Sequence, residues 1–267
     1  MFKIPESDRQ LAERIIAPAA PKEKHGMIVH EGAHSWQNPA IEPGTLIQAY
    51  DRNGSYLTVL GSAELPIGRM QHCEGRSTAN MVGAHRLESW PEWHNPDLPH
   101  PGGAAPRGGK GQIWVCTPTL KLMDQWEAAG QLTGLKVRES WVGRKMRMEQ
   151  LGRTIDDARI YAINTGDDDL KEFVKAVYSI GISTIGESSA NTRIWRPDWA
   201  AIIRSTFHAN MFRAANRVHS HGLTVAAVCH TDELHLTQQP WDVLTEGRRL
   251  SDWKTKETPH EWGKSVA

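Results

Sequence analysis

The chain has 267 residues, with 31 Lys plus Arg against 31 Asp plus Glu, so it is formally neutral when His is uncharged. That balance excludes a clamp that holds nucleic acid by bulk positive charge, though not a local basic face. Hydrophobic residues make up 39%, too many for a disordered chain, and no apolar run approaches the roughly 18 residues of a membrane span.

The first residues, Met1 to Glu6, carry no apolar stretch of the signal-peptide kind. Ser7-Asp8 can cap a short helix with Leu11, Ile15 and Ile16 on one face, ended by Pro18 and Pro21. Residues 22–44 are polar and broken by Pro and Gly, which predicts a loop or an arm. Thr45 to Tyr50 reads as a strand, closed by the turn signal Asp51-Arg52-Asn53-Gly54, and Ser55 to Leu60 as a short helix. Residues 91–112 are dense in Pro and Gly and predict a long loop inserted in a domain. Gln112 to Cys116 is a strand, and Thr117-Pro118 opens a helix with Leu120, Leu122, Met123 and Trp126 inward. Leu135 to Val142 predicts another strand, followed by helices over 145–153 and 156–163.

Gly166-Asp167-Asp168-Asp169 supplies an acidic start to a helix from Leu170 to about Ser179. Pro197 opens a long helix through Arg217, with Ile202, Ile203, Phe207, Met211 and Ala214 at helical spacing. Leu223 to Cys229 is a continuous apolar run, hence a buried strand. His230 to Glu233 is a turn, and Leu234-His235-Leu236 the return strand. The order of elements predicts an α+β domain. Cys73, Cys116 and Cys229 are dispersed, so a reduced, cytoplasmic protein is expected, and neither a disulfide scaffold nor a zinc finger fits. The 13 His are scattered mostly as singles.

Two carboxylates stand at strand ends, Asp51 after the first strand and Asp232 in the turn of the last pair. If those strands are neighbours, both meet at one edge of a sheet, as a hard divalent cation needs for phosphoryl chemistry. Asp at a strand end also serves simply to form turns. Lys171 and Lys175 are four apart, so they share a helix face that can meet a triphosphate or merely face water. The Trp-rich segments (Trp90, Trp93, Trp241, Trp262) suit protein contacts, base stacking or core packing.

Tyr50-Asp51-Arg52-Asn53-Gly54-Ser55-Tyr56-Leu57 resembles the first palm motif of family B DNA polymerases, closest to the protein-primed, phage-type branch. Leu65-Pro66-Ile67-Gly68 is similar to the segment after the palm helix. Gly111 to Met123 and Gly134 to Val137 are similar to the strand–helix–strand before the fingers. Lys171 to Lys175 has the lysine spacing of the fingers helix. Cys229-His230-Thr231-Asp232-Glu233-Leu234-His235-Leu236 resembles the third palm motif, and Leu250 to Lys254 the segment that follows it. The likeness spans roughly residues 45–255, in order.

The resemblance implies a palm-like antiparallel sheet with helices packed on one face, reduced fingers, no exonuclease domain and little or no thumb. The division would be residues 1–44 as helix and arm, 45–255 as palm with a fingers-like insertion at about 143–196, and 256–267 as tail. Asp51 and Asp232 would hold Mg²⁺ (or Mn²⁺), assisted by the Arg52 carbonyl. Lys171 and Lys175 would bind the phosphates of a dNTP, Tyr56 would lie under the sugar, and Arg213 would contact template DNA. Two departures stand against full activity: His230 replaces the first Asp of the third motif, and the fingers pattern after Lys175 is lost. The implied role is a DNA- and protein-binding module in replication or end maintenance of a mobile or linear replicon, with weak or lost polymerase activity. The alternatives are an active minimal two-metal nucleotidyltransferase completed by a protein partner, and a metal-dependent nuclease.

Overall fold

The computed structural model describes residues 35–104, 113–187, 196–229, 232–247, 249–256 and 258–263. The helix expected near residues 7–16 and the residue His230 lie outside them.

The principal sheet grows around β2 (Leu46–Arg52). One edge of β2 pairs with β10 (Glu233–Leu236), which continues to β9 (Val225–Cys229) and then β1 (Trp36–Gln37). The other edge takes β11 (Trp253–Thr255) and, further along, β12 (His260–Glu261). Every pairing is antiparallel. A short strand therefore lies within the predicted arm, and another in the predicted tail.

Side chains alternate across this sheet. Tyr50, Val228, Leu234 and Trp253 point to one face, where they pack with Met211, Ala215 and Val218. Those three lie on the helix that runs from Pro197 to Ser220. Its 24 residues give a rod of about 36 Å. The N-terminal half of the same rod buries Ile202, Ile203 and Phe207 against Val59, Leu60 and Leu65. One helix thus serves as the shared floor of two apolar clusters.

A second sheet was not foreseen. It has the order β3 (Leu65–Glu74), β8 (Val137–Met146), β4 (Met81–Leu87), β6 (Ile113–Cys116). A two-stranded piece joins β5 (Glu92–Trp93) to β7 (Leu132–Thr133) inside and beyond the Pro/Gly-rich stretch. Gly83 is required in β4: a Cβ there would collide with the backbone carbonyl of Trp141 on β8. The helices are α1 (Ser55–Ser62), α2 (Thr117–Ala128), α3 (Glu149–Thr165), α4 (Asp168–Glu187) and α5, the rod just described. The two short helices expected over 145–163 are instead the end of β8 followed by the single helix α3. Gly166, at φ 69°, closes α3, and Asp167 caps α4 through Oδ1, which accepts from the Leu170 N–H at 2.9 Å. Trp90, Trp93 and Trp241 are half-buried and pack within the fold: Trp93 edge-on against Trp126 and Phe212, Trp241 against Tyr50, and Trp90 stacked on His100.

The second sheet encloses a polar knot. His85 Nδ1 lies 2.8 Å from Ser140 Oγ, and Nε2 lies 2.9 Å from Thr117 Oγ1. Burial, with the positive charges of Arg76 and Lys121, lowers this imidazole to about 4. It stays neutral when folded and titrates near 6.5 when unfolded. The unfolded chain therefore binds the extra proton first, so stability falls as pH drops from about 6.5 to about 4. The expected loss is on the order of 3 kcal/mol. Urea unfolding at pH 7.5 and pH 4.5 checks it, and an unchanged midpoint would refute it.

Candidate functional site

The face of the principal sheet opposite α5 carries the candidate site. The strand registers align Cys229, Glu233, Asp51 and Lys254 in one row across β9, β10, β2 and β11. Paired residues share a face, so the row is a line of functional groups about one strand spacing apart. Asp51 Oδ2 sits 2.8 Å from Lys254 Nζ. The Asp51 side chain is 19% exposed and that of Lys254 54%, so the lysine covers the carboxylate from the solvent side.

Glu233 is more tightly held. Its Oε1 lies 2.5 Å from His235 Nε2, and its Oε2 contacts the ammonium of Lys256. Burial alone would raise this carboxyl, but hydrogen bonds from Lys256 and His235, with their charges, keep it below the usual carboxylate range. Burial pushes the neighbouring Cys229 thiol up, and the Glu233 charge adds to that.

Asp232 lies in the turn just before β10, half-buried, and its carbonyl accepts from the Arg52 N–H at 2.8 Å. Asp51 and Asp232 thus stand at the same end of two paired strands. The Arg52 carbonyl accepts from Ser55 Oγ at 3.2 Å and so helps start α1. Burial lowers the Arg52 guanidinium, and the Arg217 charge adds to the effect. The turn that follows is fixed from outside: Asn53 N–H donates to the Asp252 carbonyl at 2.8 Å, and Asn53 Nδ2 to that of Gly247 at 2.7 Å. Gly54 sits at φ 58°, a left-handed conformation that favours glycine, and a Cβ there would push the Leu250 side chain aside.

The remaining predicted residues divide between places. Lys171 on α4 lines a cleft of about 530 Å³ with Arg159, Asn53, Glu246, Gly247 and Lys254, so the helical pair faces the Asp51 end of the sheet. Lys171 Nζ also pairs with Asp168 at 3.1 Å. Lys175 is exposed one turn further on, 3.7 Å from Glu172, and does not line that cleft. Tyr56 packs edge-on against Phe207 with ring centroids 4.7 Å apart. Arg213, on α5, lines a separate cleft of about 350 Å³ with Lys121, Arg147 and Asn210. Glu64 anchors the basic side of that cleft. Its carboxylate lies 2.9 Å from Lys145, 3.1 Å from Lys121 and 3.1 Å from Arg147. Burial opposes the charge, but the hydrogen bonds and charges of Lys145 and Lys121 prevail and hold the Glu64 carboxyl at about 2.

Sequence reasoning missed Glu233, His235, Lys254 and Lys256 as parts of the site. The available signal was the register: once Leu223–Cys229 and Leu234–Leu236 are read as a hairpin, Cys229 and Glu233 must face each other.

The arrangement of antiparallel sheets, one long helix and a helical pair is similar in fold to about half of a solved DNA polymerase. Solved structures of Phi29 DNA polymerase match this chain. Its complex with primer–template DNA, in the post-translocation binary form, matches with TM-score 0.66 at 14% identity, over 95% of this chain and 47% of that one. The ternary complex with primer–template DNA and incoming nucleotide gives 0.64 at 12%, over 95% and 48%. The complex with single-stranded DNA gives 0.62 at 15%, over 85% and 46%. At this identity the likeness establishes the fold, and the chain spans about half the length of the polymerase it matches. No protein-family model and no curated protein matches the sequence. No helix among the described residues is long and apolar enough to cross a membrane.

Proposed function

We propose that this chain is a polymerase-like palm that binds DNA in the replication or end maintenance of a mobile or linear replicon, with weak or lost polymerase activity of its own. The observation that carries this reading is the lysine-neutralised carboxylate row. Two hard dications bridging the sheet end need carboxylates free of cationic partners. Asp51, the carboxylate that both ions would share, instead holds Lys254 at 2.8 Å. His230 adds no negative charge to the intervening loop. The row as it stands does not fit a pair of Mg²⁺ or Mn²⁺ ions.

DNA binding rests on the fold and on local charge. Lys121, Arg147 and Arg213 border one cleft, and Arg159, Lys171 and Lys254 another. Both suit phosphates, and neither requires a net positive chain. Lys175, Tyr56 and a protein partner supplying grip or priming belong to the same reading by resemblance.

One observation favours a second reading. Asp51 and Asp232 end paired strands beside the cleft that Lys171 lines, as an active nucleotidyltransferase would need once Lys254 swings away and partner chains join. A single experiment separates the two. The full chain is assayed for binding to labelled primer–template DNA and for primer extension with dNTPs and Mg²⁺ or Mn²⁺, beside Asp51→Asn and Asp232→Asn. The expected result is DNA bound by all three proteins without loss of affinity, and little or no extension. Extension by the parent that both substitutions abolish would replace this reading with the second. Absence of DNA binding would overturn both.

A further inference from the structure

The β9–β10 hairpin gathers three donors of a chemistry unlike that of paired aspartates. Cys229 lies directly across from Glu233, and Glu233 and His235 are two apart on one strand, so all three rise from the same face. One donor atom from each lies within 4.8 Å of the other two, the one such group of three among the described residues. His235 uses its ring unequally. Nε2 faces Glu233, while Nδ1 is buried with no hydrogen-bond partner. The ring of His260 stands nearly perpendicular to it at 5.9 Å, and its Nδ1 is buried and without a partner as well.

We propose that Cys229, His235 and Glu233 bind one thiophilic divalent metal ion of the Zn²⁺ class. A thiolate beside an imidazole selects zinc or cobalt over magnesium, which prefers oxygen donors and keeps its water. Zinc bonds of about 2.0–2.3 Å call for donors nearer together than the present upper bound, a closure that side-chain rotation supplies. The ion takes the place of the thiol proton and satisfies a ring nitrogen. Glu233 joins it through Oε1 and keeps Lys256 on Oε2. Three protein ligands leave a fourth position for water.

The place of this ion gives it a consequence. Cys229 and Glu233 flank the turn that carries Asp232, so an ion between them clips the two strands at the base of that turn. It also lies one strand across from Asp51. The site is independent of whether the chain extends a primer.

The test uses the full chain, freed of metal with a chelator and then titrated with Co²⁺ alone. The expected result is a thiolate-to-cobalt charge-transfer band in the near ultraviolet that saturates at one ion per chain. Zn²⁺ then bleaches it, and excess Mg²⁺ does not. Zn²⁺ also raises the melting temperature of the parent. Cys229→Ser loses the band, His235→Ala weakens Co²⁺ binding by at least about 100-fold, and Cys73→Ser keeps the parent's behaviour. Circular dichroism without metal confirms that each variant is folded, and His235→Asn carries the same expectation should His235→Ala melt early. A chain with no band, a band that survives Cys229→Ser, or one that requires Cys73 would overturn the proposal.

Discussion

Asp198→Ala is expected to cost about 3–5 kcal/mol of stability. Arg196 and Asp198 form a two-pronged pair, Nε to Oδ1 at 2.9 Å and Nη2 to Oδ2 at 2.6 Å. Their side chains are only 8% and 4% exposed. Arg196 Nη2 also donates to the Pro66 carbonyl at 3.0 Å, and the guanidinium lies over the Trp199 ring at 4.6 Å. Trp199 Nε1 donates to the same carbonyl at 2.8 Å. Removing the carboxylate strands a guanidinium in the interior where α5 begins, at the joint that ties this helix to β3. The melting temperature should fall by roughly 6–20 °C. A double variant, Arg196→Met with Asp198→Leu, should recover most of the loss, because it leaves no buried charge behind. A single variant within about 1 kcal/mol of the parent would show that water reaches the pair.

The second large effect concerns DNA. Truncating Lys121, Arg147 and Arg213 together to Ala should weaken primer–template binding by on the order of 100-fold or more near 0.1 M salt. The slope of log affinity against log salt should shrink by about three, one for each lost phosphate contact. Glu64→Gln should act in the opposite sense, since it removes the anion that Lys121, Lys145 and Arg147 share. Equal slopes for the parent and the triple variant would place the DNA elsewhere on the surface, with the Arg159, Lys171 and Lys254 cleft the next to test.

The parts of the fold that could be read in the sequence are those where one physical signal dominates. Val225 to Cys229 is an unbroken apolar run, and α5 keeps helical spacing over six turns. The β3–β8–β4–β6 sheet was hidden for the opposite reason. Met81 to Leu87 mixes Gly, His and Arg into a strand that is nonetheless mostly buried, because His85 finds Ser140 and Thr117, and Gly83 lets β8 pass close. Polarity there reports a satisfied interior, not a surface. Thr154-Ile155-Asp156-Asp157 imitates a helix start, which divides α3 in two on the page though not in space.

The site divides in the same way. That Asp51 and Asp232 each stand at a strand end follows from apolar runs and turn residues alone, while the pairing of those strands is supplied by the fold. That Lys254 caps Asp51 does not, since it depends on which strand takes the far edge of β2. Arg213 and Lys171 sit on different clefts because α4 and α5 present different faces, a fact of packing that spacing does not encode.

The position of β2 in its sheet bears on how the chain is made. Asp51 leaves the ribosome first, yet every strand that β2 pairs with among the described residues, β10, β11 and β12, comes from residue 233 or later. At typical rates of synthesis the wait is roughly 10 to 40 s. Through that interval β2 has two open edges, the state most prone to wrong pairing. The candidate site therefore cannot exist on a growing chain, and its assembly is among the last events of folding.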